Sequence, residues 1–286
     1  MGSERLYRTE GIVIRRRDQG EADRVLTLCT PQGKLDVVAK GARKVHSRKA
    51  GHIELFTRAN FVISRVTASW DIVSQADMVE AHALLRSDLV RGTYARYVIE
   101  LYDRFFAQEE GGRTLFELVE RALLRLSEDA DLDLVVRVYE QEMLALAGFR
   151  PELFRCVGEH TPSVTLGLGE SPSESRAFGF DAERGGVLCP VCYADSRRQP
   201  EVVALSSGGL RLLQQCQTQL YGMLRGVCVA ESIHDEAERA MQHHITYHLE
   251  RSVRSLTFLR QLRRELITQP RPAPPGDVQD VQPSNQ

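Results

Sequence analysis

Long apolar runs are missing from this chain. Nowhere in its 286 residues do 18 consecutive apolar side chains occur, so no membrane-spanning helix is expected. The opening MGSERLYRTEG lacks the apolar core of a secretory signal, and the expectation is a soluble, cytoplasmic protein. Cysteine is scarce: six residues (29, 156, 189, 192, 216 and 228) are too few for a disulfide scaffold. In a reducing compartment, a close pair of them points to a metal or redox site. Three catalytic signatures are also missing. There is no G-x-x-x-x-G-K-S/T, no G-x-S-x-G and no G-x-G-x-x-G, which argues against a P-loop nucleotidase, a nucleophile-elbow hydrolase and a dinucleotide-binding enzyme. Aromatics are sparse at 7%, with a single tryptophan.

The net charge of −2 says little, but its distribution is uneven. Residues 1–70 carry 14 Lys and Arg against 7 Asp and Glu, so the remaining chain sums to −9. A basic N-terminal third suggests a surface that faces a polyanion, although a solvated basic face without a partner would give the same count.

Five stretches rich in Val, Ile, Leu and Thr read as strands: 9–16, 23–30, 34–41, 55–66 and 70–77. Pro31 and Gly33 are placed for a tight turn. Five short strands in about seventy residues fit a small closed or partly closed barrel, which hides its own edges. From about residue 81 the period becomes helical. Tyr94, Val98, Leu101 and Phe105 form one stripe, Thr114 and Glu117 read as a capping box, and a helix is expected over 132–146, ended by Gly148. LSSGGLRLLQQC opens another, and two more follow at 235–249 and 252–267. The Pro-rich, polar tail from 270 reads as disordered.

Residues 151–198 interrupt the helices. They hold Cys156-x3-His160 and, after 28 residues, Cys189-x2-Cys192. The stretch between is polar and short of large apolar residues, so a metal would give it a fixed shape. Zinc takes Cys and His in closed tetrahedral sites, and a tight turn brings both sulfurs of C-x2-C to one point. Gly185 and Gly186 permit such a turn. The alternatives are a buried thiol at Cys156 with a surface His160, or a redox C-x-x-C. The second normally sits at a helix start after a strand, whereas this one reads as loop.

Other patterns dissolve on inspection. His52-Ile53-Glu54 with Cys189-Pro190-Val191-Cys192 imitates a zinc deaminase, but Leu188 precedes the first cysteine where that pattern needs proline. Asp129, Asp131, Asp133 and Glu140 imitate a calcium loop, but Leu134 occupies the glycine position and the segment reads as a helix start. His244 and His248 lie one helical turn apart beside His243 without H-E-x-x-H, and read as ordinary helix residues.

The basic residues fall into two groups, Arg15-Arg16-Arg17 and the segment AKGARKVHSRKAG, which reads as a mobile loop anchored only by Val45. Each cation can neutralise a phosphate without reading sequence. Phe56, Phe61 and Trp70 are the candidate stacking residues, each equally eligible for the core.

Over residues 7–266 the chain resembles the bacterial RecO family of recombination mediators. The resemblance is carried by TEGIVIRRRDQGEADRVLTLCTPQGKLDVVAKGARK, LALAGFRPEL, GGVLCPVC and RSVRSLTFL. It implies an α+β multidomain protein: a five-stranded OB-fold barrel (1–80), a helical domain in two parts (81–150 and 199–269), a zinc-finger-like insert (151–198) and a disordered tail (270–286). It implies a non-enzymatic role in recombinational DNA repair at the nucleoid. The chain would bind single- and double-stranded DNA and anneal complementary strands. With RecR it would help load RecA onto strands coated by the single-strand-binding protein, whose C-terminal tail it would contact. The DNA role falls on Arg15, Arg16, Lys40, Arg43 and Lys44, and further on Arg17, Lys34, Arg48 and Lys49. A structural Zn2+ would be held by Cys156, His160, Cys189 and Cys192. The departure is that many relatives have C-x2-C in the first half, whereas here Gly158 stands where a ligand is expected and His160 substitutes. A zinc-stabilised transcription regulator and a zinc enzyme are the competing readings.

Overall fold

Apolar side chains on alternate residues let each N-terminal strand bury one face in a barrel and offer the other to solvent or to the helices. In the computed structural model, which describes residues 6–47, 49–66, 70–108, 112–159, 166, 177–249 and 258, these strands are β1 (Leu6–Gln19), β2 (Asp23–Thr30), β3 (Gly33–Ala39), β4 (Arg58–Ser64) and β5 (Asp71–Glu80). They pair in the order β1-β2-β3-β5-β4, and β4 returns to β1, so the ring closes. This arrangement is consistent with the OB-fold expectation. β1 serves two neighbours because it bends: Leu6–Ile12 pairs with β4, and Ile12–Gln19 pairs with β2 across an irregularity between Val13 and Arg15. Leu26, Leu28, Val37, Ile63 and Val73 fill the interior.

The turn at Pro31-Gln32 forms as expected. The Thr30 hydroxyl donates to the Gly33 carbonyl at 2.8 Å and accepts from the Gln32 amide at 3.2 Å. The fourth strand starts three residues later than the pattern suggested. Phe56 is buried in a left-handed conformation (φ 70°), its amide donates to the Val13 carbonyl and the Val13 amide donates to the Thr57 carbonyl, which breaks the run at 55–57.

The helical part contains α1 (Ala83–Ser87), α2 (Leu89–Phe105), α3 (Arg113–Glu128), α4 (Leu132–Leu146), α5 (Pro190–Ser196), α6 (Ser207–Thr218), α7 (Tyr221–Leu224) and α8 (Glu231–Leu249). The stripe on α2 is buried at Tyr94, Val98 and Leu101, and α4 has the expected limits. Asp131 caps α4 by accepting from the Leu134 amide at 2.9 Å, so the acidic run is a helix start rather than a calcium loop. The capping box expected at Thr114 does not form. α3 begins at Arg113, one residue ahead of Thr114, with Gly112 as an N-cap that has no side chain to offer, and Glu117 pairs with Arg113. The last helix begins at Glu231, ahead of the expected 235, and the segment 252–267 lies outside the described residues except for Phe258. The tail from 270 lies outside them as well.

Outward residues of the barrel (Ile12, Ile14, Cys29 and Phe56) join the helical core directly. Within that core Arg137 and Glu140, both buried, form an ion pair at 2.9 Å, and the Tyr97 hydroxyl donates to Glu140 at 2.5 Å. Burial pushes the Glu140 carboxyl up, to about 7, against the opposing pull of Arg137.

His244 is not a surface residue. It is buried on α8, and its Nε2 donates to the Phe149 carbonyl at 2.9 Å, which leaves Nδ1 bare and unpartnered. Burial lowers its pKa from 6.5 to about 4. A depressed histidine is neutral in the fold and takes its proton first in the unfolded chain. Its contribution is therefore complete above about pH 6.5 and declines by about 1.4 kcal/mol per pH unit down to about pH 4. Urea titrations at pH 7 and 5 should show this decline in the wild type and a flatter response in His244→Gln. An equal decline in both would remove His244 as its source.

Candidate nucleic-acid interface and metal centre

The insert is built on a three-stranded sheet, β7-β6-β8, from β6 (Phe178–Asp181), β7 (Gly186–Leu188) and β8 (Val202–Leu205). β8 comes after residue 198, so the sheet extends past the insert into the returning helical segment. β7 delivers Cys189 directly to the start of α5, where it is the N-cap, and Cys192 follows one turn on. This corrects the sequence reading of C-x-x-C as loop: it sits at a helix start after a strand. Such a position alone would suit a redox pair, but a third sulfur changes the chemistry.

Cys156 arrives on a segment whose Val157 amide bonds to Val187, and the Sγ atoms of Cys156, Cys189 and Cys192 lie within 4.8 Å of one another. Among the described residues they are the one group of three or more ligand-bearing side chains so gathered. The amides of Cys189 (3.1 Å) and Gly158 (3.4 Å) point at the Cys156 sulfur, as donors stabilising a thiolate would. Without a metal, burial followed by the neighbouring Cys156 and Cys189 pushes the Cys192 thiol up to about 12. Three crowded sulfurs, of which Cys192 resists ionisation, are what a thiophilic cation would relieve, so the residues fit a metal. His160, the expected fourth ligand, lies outside the described residues. Gly158 is no ligand position: a Cβ there would sit 2.4 Å from the Cys192 sulfur, so only glycine lets this turn approach the cluster. A C-x2-C step from Cys156 ends instead on Glu159, which is exposed and outside the cluster. His52 belongs to a 3₁₀ turn (Ala50–Ile53) beside the barrel, apart from these cysteines.

The barrel cations divide into those engaged within the fold and those that are not. Lys34, expected at the DNA interface, is a strut instead. Its side chain is 9% exposed, and its Nζ donates to the Asp103 carbonyl (2.7 Å) and carboxylate (3.0 Å) on α2. Arg15 shares that carboxylate, and Arg16 pairs with Glu54; both line a cleft of about 810 Å³ between the barrel and α2. Arg15 remains well exposed, and exposed ion pairs are weak enough to exchange for phosphate. Arg43 bonds the Gly20 carbonyl and approaches Asp18 at 3.4 Å. Lys49 is tied to the Val73 carbonyl at 2.9 Å, and burial lowers its pKa. Lys40 and Lys44 are exposed and have no acidic partner among the described residues. Arg48 lies outside them.

The segment after β3 is a series of turns rather than a loop held by Val45. Val45 is 94% exposed and the buried anchor is Ala42, while Asp23 accepts from the Gly41 amide at 2.8 Å and Ala22 from the Arg43 amide at 2.9 Å. Of the three candidate stacking residues, Phe56 and Phe61 are core and Trp70 is exposed, with the Arg17 guanidinium carbon 5.1 Å from its ring centre. No helix among the described residues is long and apolar enough to cross a membrane.

Comparison with known proteins adds two family models and a set of curated relatives. Residues 3–82 match the model "Recombination protein O N terminal", and residues 86–257 match "Recombination protein O C terminal". A protein of Roseiflexus sp. is 37% identical over 93% of this chain and 89% of its own length. One from Desulforudis audaxviator is 35% identical (90% and 97%), and one from Pelotomaculum thermopropionicum 33% (89% and 94%). Each carries the name DNA repair protein RecO.

Proposed function

The chain belongs to the recombination protein O (RecO) family, and from that premise we propose that it is a non-enzymatic, DNA-binding mediator of recombinational repair. The observation that carries this reading is the pair of exposed cations Lys40 and Lys44, without acidic partners among the described residues, on one flank of the closed barrel beside Arg43. We read that barrel as an OB-fold spanning residues 1–80. Residues 81–150 and 199–269 are the helical domain, 151–198 the zinc-finger-like insert, and 270–286 a tail.

Two complementary strands repel each other through their phosphates. A protein that holds one strand on a cationic flank and offers further basic surface to the second screens that repulsion and raises the local concentration. This needs positioning and charge but no bond-making residue and no ATP. The flank binds phosphates irrespective of sequence, so single- and double-stranded DNA are both ligands. Cys156, Cys189 and Cys192, with His160 as fourth ligand, hold a structural zinc that fixes the insert. RecR, the tail of the single-strand-binding protein and, indirectly, RecA are the partners, met in the cytoplasm at the nucleoid.

The test is ATP-independent annealing of complementary oligonucleotides coated with single-strand-binding protein, across a salt series. Acceleration that fades with salt supports the reading; no acceleration by folded protein overturns it. The Lys40→Ala/Lys44→Ala double variant should lower the slope of log K against log salt on single strands by about 1.4, two phosphates' worth. A Lys34→Met variant at an internal strut should leave that slope unchanged wherever it folds.

A further inference from the structure

On β2 and β3 the interior positions are Leu26, Leu28, Val37 and Ala39, so Val25, Thr27, Asp36 and Val38 point outward. The helices take one end of this outer face, where Cys29 joins the helical core and Lys34 reaches Asp103. At the other end a single row crosses four strands: Arg17 pairs with Val25, Val25 with Val38, and Val38 with Ile72. Cross-strand partners share a face. Trp70 stands at the far end of this row, one residue before Asp71, which pairs with Val37. Val25 and Val38 are outside the barrel core and yet buried, 4% and 8% exposed. The Arg17 guanidinium carbon stands 5.1 Å from the centre of the Trp70 ring at that end of the barrel.

We propose that Trp70, with Arg17, is a stacking site for an unpaired nucleobase, the place where this barrel distinguishes a single strand from a duplex. The inference rests on the DNA-binding reading and deepens it. Trp70 is 40% exposed with the Arg17 guanidinium over its ring, so a planar base can reach the indole by stacking beside Arg17 or in its place. Arg17 has no acidic partner among the described residues, unlike its neighbours Arg15 and Arg16, so its planar guanidinium is available to a base or phosphate. Lys40, the exposed turn residue that directly follows β3, stands close enough in sequence to Val38 to take the adjoining phosphate. The two carboxylates nearby are already engaged: Asp36 accepts from Thr27 at 2.6 Å, and Asp71 accepts from Tyr7 at 2.6 Å. A duplex keeps its bases stacked on one another and has none to offer, so it can engage the cations but not the ring.

The chain contains one tryptophan, so its intrinsic emission reports this position alone. Labelled oligothymidylate is titrated into the full-length protein, and label anisotropy and tryptophan emission are read together, with a duplex of equal length in parallel. Quenching that saturates with the anisotropy on the single strand, and is missing on the duplex, is the expected result. Trp70→Ala should weaken single-strand binding about tenfold and leave duplex binding unchanged, with Trp70→Phe close to wild type. Rising anisotropy with constant emission would overturn the stacking site while leaving DNA binding intact. Equal losses on both ligands in Trp70→Ala would overturn it too, and make Trp70 a support of the face. No anisotropy change with either ligand would remove the DNA-binding reading itself.

Discussion

Cys189→Ser protein is expected to leave purification without zinc, where the wild type carries about one equivalent per chain. The serine hydroxyl stays protonated at neutral pH and cannot replace a thiolate, and two remaining sulfurs do not hold the cation. The damage should be local. Cys189 joins β7 to α5, and the amides of Cys189 and Gly158 both address the Cys156 sulfur. Amides of Gly179 and Leu188 should lose hydrogen-exchange protection, while those of α2 and α4, whose buried residues lie outside the cysteine cluster, keep it. Cys216→Ser, at a buried thiol on α6 outside the cluster, is the control and should retain its metal. Stoichiometric zinc in Cys189→Ser, or a folded wild type that takes up none, would end the metal assignment.

Glu140→Ala should cost about 3–5 kcal/mol of unfolding free energy, since it leaves the Arg137 guanidinium charged and buried with its closest counter-charge gone. Arginine does not escape by deprotonating, and the Tyr97 hydroxyl loses its acceptor in the same step. Replacing both partners, as Arg137→Met/Glu140→Leu, removes the desolvated charges together and should lie well above the single variant in stability. Chemical denaturation of the three proteins decides it. A loss below about 1 kcal/mol in Glu140→Ala would mean that water or Glu238 compensates Arg137.

The N-terminal strands and α4 were legible because their signals are local. Richness in Val, Leu and Thr between turn signals marked β2 at its observed limits, and the acidic run at 129–133 read as the helix start that α4 makes there. The cysteine spacing likewise brought Cys156, Cys189 and Cys192 together. What failed depended on partners far away in sequence. Nothing near Lys34 indicates that Asp103, 69 residues later, will take its charge, and so it read like any other cation of the barrel. Thr114 matched a capping pattern, but the chain entered the helix one residue before it. Phe56, Phe61 and Trp70 were equivalent in composition, and only the folded barrel sent Phe61 into its interior, Phe56 into the helical core and Trp70 to the surface. The deaminase and calcium imitations failed for the same reason in reverse: matching residues stood on elements that never meet in the required geometry.

The ring of strands is not uniform around its circumference. The antiparallel pairs of β1 with β2 and β4, of β2 with β3 and of β4 with β5 each run over seven partner positions, whereas β3 and β5 meet in parallel over only two. The hairpin of β2 and β3 closes over a two-residue turn at little entropic cost, but the β3–β5 joint must gather residues more than thirty positions apart for two partner positions. It is the seam of the barrel, and native-state hydrogen exchange is expected to find it opening ahead of the antiparallel joints. Trp70 sits at the lip of that seam, so a strand bound across it would act as a clasp on the ring.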